Sequence, residues 1–244
     1  MKTITFFNNK GGVGKTTMVY HITYMLSELG YKVIALDLDP QSNLTSMFLS
    51  DDRIEELYEN EEKHTITGGI IPVVEADKYS PAYIEQINEN IGIVPGNLAL
   101  SQFEDKLSDA WLKCLNGDVY AFRLTSIFNT IIEDVSAQWD ADYVLIDVGP
   151  NLGAINRSVL LSSDYMIVPV APDLFSLQGL KNLGETLKEW KNDWNKRKVE
   201  NKRENILLPK GTTQPLGYIV MQYQARSSRP VKSYLKWSER IPQV

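Results

Sequence analysis

The stretch Lys10-Gly11-Gly12-Val13-Gly14-Lys15-Thr16-Thr17 constrains this chain more than any other. Before it lies a β-branched and aromatic run, Thr3 to Phe7, closed by Asn8-Asn9; after it Val19, Ile22, Met25, Leu26 and Leu29 recur at helical spacing until Gly30. A strand that turns through Gly11, Gly12 and Gly14 into a helix suits one chemistry. Glycines let successive backbone N–H groups turn inward and approach phosphate oxygens that side chains would block. The helix N-terminus adds the positive end of its dipole. Lys15 can then reach the β- and γ-phosphates, and the Thr16 hydroxyl can ligate magnesium. ATP with magnesium is the expected cargo, held by Lys10 through Thr17. The usual pattern G-x-x-x-x-G-K-[ST] requires a glycine where this chain has Asn9, and a second lysine, Lys10, stands inside the loop.

The remainder alternates strands and helices. Val33–Leu38 (VIALDL), Ile91–Pro95, Tyr143–Ile146 closed by Asp147, Tyr165–Val170 and Leu216–Met221 read as buried strands. Helices are predicted over 97–113, over a longer segment outlined by Phe122, Ile127, Ile131, Ile132 and Val135, over 176–198, and over a short basic 230–240. The acidic 51–64 reads as surface helix or loop. This alternation predicts an α/β fold with a mostly parallel, twisted sheet covered by helices on both faces.

At 244 residues with 43% hydrophobic content, residues 1–244 are expected to form one domain, with 51–140 as a helical elaboration. The start of the chain does not read as a signal peptide, and no apolar run approaches the roughly 18 residues of a membrane span. The lone Cys114 excludes an internal disulfide framework and a cysteine-only metal site, so a cytoplasmic protein is expected. His21 and His64 are too few and too far apart to support a histidine metal site or a Ser-His-Asp arrangement. Charge is uneven: residues 1–180 carry 11 Lys/Arg against 25 Asp/Glu, and residues 181–244 carry 14 against 6. An acidic body with a basic flank points to an anionic partner, or only to solvated helix faces.

KGGVGKTT resembles the deviant Walker A motif of the ParA/MinD family, SIMIBI-class P-loop ATPases. Asp37-Leu38-Asp39-Pro40-Gln41 with Asn43, Leu44 and Thr45 resembles the family's DxDPQxNxT motif. Val94-Pro95-Gly96-Asn97 with Leu100 resembles its mid-chain turn, and Asp147-Val148-Gly149-Pro150 the DxxP form of its Walker B region. Val168-Pro169-Val170 through Gly179-Leu180 resembles its VPV…GL segment. The matches run in family order to about residue 226 and look most like ParA/Soj-type partition ATPases.

The resemblance implies a P-loop NTPase fold, slow ATP hydrolysis and a homodimer formed on ATP. Lys10 would reach across that dimer to the partner's phosphates, as an arginine finger does. Lys15 and Thr16 would act in cis. Asp39 would orient or activate the attacking water and help organise magnesium, and Asp147 would hold magnesium through a water. Pro172 and Asp173 would lie near the adenine, and Asp37 would support the P-loop backbone. Each residue also has a plainer reading: Lys10 as a solvated loop lysine, Asp39-Pro40 and Pro172-Asp173 as turns, Asp147 as a cap.

Gly149 departs from the family's usual Asp-Thr-Pro-Pro and is expected to loosen that turn. Ile241 to Val244 resembles the point where family members enter a final strand and helices, so the chain reads as lacking a tail or as naturally short there. The leading expectation is a partition-type ATPase that binds DNA non-specifically through Lys196, Arg197, Lys198, Lys202, Arg203, Arg226, Arg229, Lys232 and Lys236, answers to a ParB-like stimulating partner, and associates with the nucleoid. The alternative is a MinD-like ATPase on a membrane surface, which needs an amphipathic targeting helix. A metallocluster scaffold would need paired cysteines; a ligase or kinase on the same scaffold would not need Lys10.

Overall fold

The computed structural model describes residues 1–59, 62–221, 225–226 and 229–230. The chain opens with β1 (Lys2–Phe6), α1 (Lys15–Glu28) and β2 (Val33–Leu38), then three short helices, α2 (Asn43–Phe48), α3 (Asp51–Glu59) and α4 (Thr67–Val74). Next come β3 (Glu85–Gln86), β4 (Ile91–Val94), α5 (Phe103–Lys113), α6 (Val119–Thr125), α7 (Ile127–Trp139) and β5 (Tyr143–Val148). The order closes with α8 (Ala154–Ser162), β6 (Tyr165–Val170), α9 (Leu174–Lys198) and β7 (Gln214–Val220).

These strands form one sheet in the order β3-β4-β2-β5-β1-β6-β7, parallel throughout except for the antiparallel edge pair β3–β4. All six residues of β2 are buried, as a central parallel strand covered on both faces requires. The two-residue period sorts its side chains: Val33 and Ala35 pack with Phe6, Val19 and Leu44 beneath α1 and α2, while Ile34, Leu36 and Leu38 join Phe122, Phe128 and Trp194 on the other face. Burying a Leu, Ile or Phe side chain contributes about 1.5–3 kcal/mol, so these two layers hold the sheet between its helices.

Several sequence expectations shift. Residues 97–113 are not one helix: a 3-10 turn, Leu98–Gln102, precedes α5, with the Asn97 side chain accepting from Ala99 N at 2.8 Å. The long helix through Phe122 and Val135 is two, because the chain bends at Ser126 between α6 and α7. The predicted 51–64 segment is α3 followed by a 3-10 turn at Glu62–His64. α9 begins at Leu174 rather than 176, since the Asp173 carboxylate accepts from Ser176 N at 2.8 Å and caps it. The basic helix expected at 230–240 lies outside the described residues apart from Pro230.

Parallel strands all end on one edge of the sheet, and their register aligns three of those ends. Asp147 of β5 pairs with Phe6 of β1 on one side and with Asp37 of β2 on the other. Ligands of open α/β sheets bind in the crevice at such carboxyl ends.

Candidate nucleotide-binding site

The loop after β1 is anchored before it turns. Phe7 N donates to Ile167 O at 3.0 Å, the Asn8 amide donates to Pro169 O at 2.7 Å, and Lys10 N donates back to Asn8 Oδ1 at 2.9 Å. Asn8 thus ties the start of the loop to the end of β6, a role that nothing in the loop motif announces. Gly12 and Gly14 take left-handed φ values of 69° and 87°. At Gly14 a Cβ would also sit 2.8 Å from Met221 Cε. α1 then starts at Lys15, so the loop and its first turn present backbone N–H groups at the carboxyl edge of the sheet.

Lys15 is buried at 7% exposure. Burial holds its pKa below the ordinary lysine value, while the Asp147 and Asp39 carboxylates pull it up. Asp147 is fully buried, and neither carboxylate oxygen has a hydrogen-bond partner. Burial, reinforced by Asp37, pushes its pKa up to about 7; the Thr16 hydroxyl and Lys15 act the other way. A buried carboxylate without a donor, facing a hydroxyl and a lysine, fits a hard divalent cation with oxygen ligands. Among the described residues no three His, Cys, Asp or Glu side chains make a metal cluster. Magnesium bound largely by phosphate and water needs only the oxygens that Thr16, Asp39 and Asp147 offer.

Asp39 follows β2 and is 8% exposed. Its Oδ1 accepts from Gln41 N at 3.0 Å, and its own N donates to Asp37 Oδ1 at 3.3 Å. Asp37 was expected from the sequence to support the P-loop backbone, but among the described residues its hydrogen bonds run to Asp39 and Thr45. Its Oδ2 accepts from Thr45 N at 2.8 Å and Thr45 Oγ1 at 2.7 Å, and that hydroxyl accepts from Gly96 N at 2.8 Å. This knot ties β2, α2 and the turn after β4 together. Gly96 is required there, since a Cβ would lie 2.7 Å from Ser42 Oγ and 2.9 Å from Asp37 Cγ.

The turn after Asp147 is not loose. The Asn156 side chain donates to Gly149 O at 2.8 Å and to Asn151 O at 2.7 Å, closing the turn from α8. Gly149 lies against Asp39: a Cβ there would meet Asp39 Oδ1 at 3.5 Å, ordinary contact. Glu104 of α5 caps α8, accepting from Ile155 N at 3.0 Å and from Ala154 N. The spacing of the sequence gave no sign of that pairing, which joins residues 50 positions apart.

Lys10 and Asp173, separated by 163 positions, form an ion pair beside the loop. Pro172 is buried next to it, and Gly179 approaches Asn9 so closely that a Cβ would be 3.1 Å from Asn9 Oδ1. The 169–179 stretch therefore runs along the entry to the loop, bringing Pro172 and Asp173 to the same edge as Lys15, Thr16, Asp39 and Asp147.

The expected DNA-binding residues separate from one another. Lys196, Lys198, Lys202 and Arg203 are on the surface at the far end of α9 and just beyond it. From Asp173 to Lys196 is 23 positions, about 35 Å of helix, so this cationic end is remote from the loop. Arg197 is withdrawn from that set: it is 4% exposed, its Nε donates to Trp111 O at 2.8 Å, and its guanidinium stacks 4.0 Å over the Trp111 ring. Arg226 and Arg229 pair through their backbones in a short antiparallel ladder; their side chains, and Lys232 and Lys236 entirely, lie outside the described residues. No helix among the described residues is long and apolar enough to cross a membrane.

A glycine-rich turn from strand into helix, a buried lysine, and aspartates at the ends of β2 and β5 define a P-loop NTPase. The profile of an AAA domain family (AAA_31) matches residues 1–200. An uncharacterized protein of Methanocaldococcus jannaschii, MJECL24, is 30% identical over all of this chain and 82% of its own length. The sporulation initiation inhibitor Soj of Bacillus subtilis is 28% identical over 77% of this chain and 65% of its own. The chain thus spans just under two thirds of Soj. Protein DIP2308 of Corynebacterium diphtheriae superposes with a TM-score of 0.81 at 29% identity, covering 89% of this chain and 79% of its own. The chain belongs to the ParA/MinD family of P-loop ATPases.

Proposed function

We propose that this chain is an ATP-gated dimerising switch of the partition type, which binds ATP with magnesium, hydrolyses it slowly and carries or positions a cargo on DNA. One observation carries the dimer: the Lys10 side chain stands apart from the buried Lys15, 37% exposed at the rim of the loop, with its ammonium bound only to Asp173 among the described residues. A cation so placed is available to a second molecule. Leu98, Leu152 and Leu174 follow the ends of β4, β5 and β6 and leave exposed apolar surface on that same edge, in keeping with a partner there.

Within one subunit the loop amides and Lys15 bind and orient the phosphates. Thr16, Asp39 and Asp147 would hold magnesium, which would supply charge neutralisation for the phosphates when bound. Asp39 accepts the proton side of the attacking water: its Oδ1 is committed to Gln41 N, leaving Oδ2 with no donor among the described residues. The Lys10 side chain of each subunit places its charge on the other's γ-phosphate, where negative charge develops. The surface cations Lys196, Lys198, Lys202 and Arg203 supply sequence-independent affinity for DNA phosphates. A cytoplasmic, nucleoid-bound protein answering to a stimulating partner protein follows from that reading.

The test is light scattering of the chain with a slowly hydrolysed ATP analogue and magnesium, with and without Lys10→Ala. A dimer that forms only with nucleotide and is lost in the variant supports the switch. A variant that turns over ATP at the parent rate as a monomer places the chain with small-molecule ligases or kinases. Duplex DNA binding measured on the same samples at low salt tests the cargo surface; sedimentation with anionic vesicles but not with DNA moves the reading to a membrane-positioning ATPase.

A further inference from the structure

A cavity of about 320 Å³ opens between α4, the 77–79 segment, the α6–α7 bend and residues 205–207, in the helical layer and lined by none of the residues assigned to the nucleotide site. Ile127 and Leu207 give the cavity apolar walls. At the rim stand Arg123 and Lys78, neither of whose side chains is ion-paired among the described residues, with Asp77 beside them. Two cations against one carboxylate leave a single positive charge.

Both sides of the cavity are tethered. The Tyr79 hydroxyl donates to Asp134 Oδ2 at 2.6 Å, holding the 77–79 side, and the Asn129 amide donates to Leu207 O at 3.2 Å, holding the other. A preformed apolar pocket of this size with a few convergent polar groups is the usual shape of a small-molecule site.

We propose that this cavity is a second ligand site, separate from the nucleotide site, which takes a small apolar monocarboxylate. The apolar body lies against Ile127 and Leu207, and the carboxylate pairs with the Arg123 fork. The planar guanidinium matches a carboxylate in two parallel hydrogen bonds, and Asp77 at the same rim disfavours a dianion such as a phosphate monoester. The site lies next to Thr125, whose carbonyl accepts from Ser158 Oγ of α8 at 2.6 Å. α8 in turn closes the turn after Asp147 through Asn156, so an occupant sits one hydrogen bond away from the helix that shapes the Walker B turn.

The experiment is ligand-observed NMR and calorimetry on the full chain, with 4-phenylbutyrate and decanoate as probes and 4-phenylbutylamine and phenethyl phosphate as controls. Saturable one-site binding of a carboxylate is expected, weakened at least tenfold by Arg123→Gln and by Leu207→Trp, which blocks the mouth at an exposed position. ATP turnover of Arg123→Gln is expected to match the parent, which shows the variant folded and separates this site from the nucleotide reading. The proposal is overturned if neither carboxylate saturates, if binding survives both Arg123→Gln and Leu207→Trp, or if the amine or phosphate binds as well as the carboxylates.

Discussion

The Lys10 ammonium is paired with the Asp173 carboxylate, the same group whose second oxygen caps α9 through Ser176 N at 2.8 Å. Burial raises the Asp173 pKa, but the Lys10 hydrogen bond and charge together with the hydrogen bonds from Ser176 outweigh it and hold the carboxyl below its usual value. If Lys10 serves a partner's nucleotide, this pair has to open first. Asp173→Asn removes the charge and keeps a good cap. The expected outcome is a nucleotide-free chain whose stability changes by less than about 1 kcal/mol, as for other exposed ion pairs, together with dimer formation at lower ATP concentration. Thermal melting and light scattering against ATP concentration check both. Dimerisation that needs more ATP than in the parent would count against the pair as a brake.

Two buried carboxylates make the nucleotide-free chain sensitive to pH in an unusual direction. Burial pushes the Asp37 pKa up to about 6 and the Asp147 pKa up to about 7. A carboxyl raised in the folded state keeps a proton that the unfolded chain has already lost, so between about pH 4 and pH 7 the fold binds more protons. Stability from these groups is therefore full below about pH 4 and falls as pH rises through 6 and 7. Asp147→Asn removes one of the two terms. Its unfolding free energy without nucleotide, from urea melts, should exceed the parent's at pH 8 by an amount on the order of a few kcal/mol and converge with it near pH 4, because a whole pKa unit corresponds to about 1.4 kcal/mol. Equal differences at both pH values would show that the buried charge is not the cause.

How much of this was legible in the chain depends on what holds each element. β2 and β6 occupy the spans read from sequence because an unbroken apolar run between turn residues leaves little choice. α4 was not legible: TGGIIPVV contains two glycines and an internal proline, and it is helical because Ile70 and Val73 bury against the core and Gly69 lets Ile131 approach. The break at Ser126 also escaped periodicity, since apolar residues continue on the same face through α6 and α7. At the site, Lys15, Thr16, Asp39 and Asp147 follow from motif and spacing. Asn8 and Glu104 do not, and Thr45 stands in a motif that leaves its role unstated, because their work is done by hydrogen bonds to residues 161, 50 and 51 positions away. Arg197 was misread because a charged residue in a pattern looks the same whether it faces a ligand or is buried as a structural tie; Asp37 is the structural tie expected, but to Thr45 rather than to the P-loop.

The two positive-φ glycines of the loop should respond differently to alanine. At Gly12 nothing lies within 4 Å of a new Cβ, so only backbone strain opposes it. The expected cost is about 1 kcal/mol, the penalty of an L side chain in the left-handed region. At Gly14 the same strain is joined by contact with Met221 Cε at 2.8 Å. Gly14→Ala should cost about 1 kcal/mol more than Gly12→Ala by chemical denaturation, and Met221→Ala should recover part of that excess. Equal costs would place Met221 too far from the loop to matter.

Among the basic residues at the end of α9, one term in the DNA prediction is reassigned. Arg197 is packed on Trp111, which itself stacks on the buried Trp194 with ring centroids 5.9 Å apart, and Arg157 lies 4.2 Å from the same Trp111 ring. Arg197→Ala opens this stack and leaves the Trp111 carbonyl without its donor, so a loss of about 2–4 kcal/mol in stability is expected. Lys196→Ala and Lys198→Ala touch no core and should change stability by less than about 0.5 kcal/mol. In DNA binding the order reverses. Removing a surface lysine that meets a phosphate reduces the steepness of log affinity against log salt by about one unit, for any sequence, while Arg197→Gln in chains that remain folded leaves the slope unchanged. Salt titrations of duplex binding for the three variants, paired with urea melts, separate the two kinds of residue. A salt slope that drops for Arg197→Gln as it does for Lys196→Ala would put that guanidinium on DNA and require the stack on Trp111 to open in the complex.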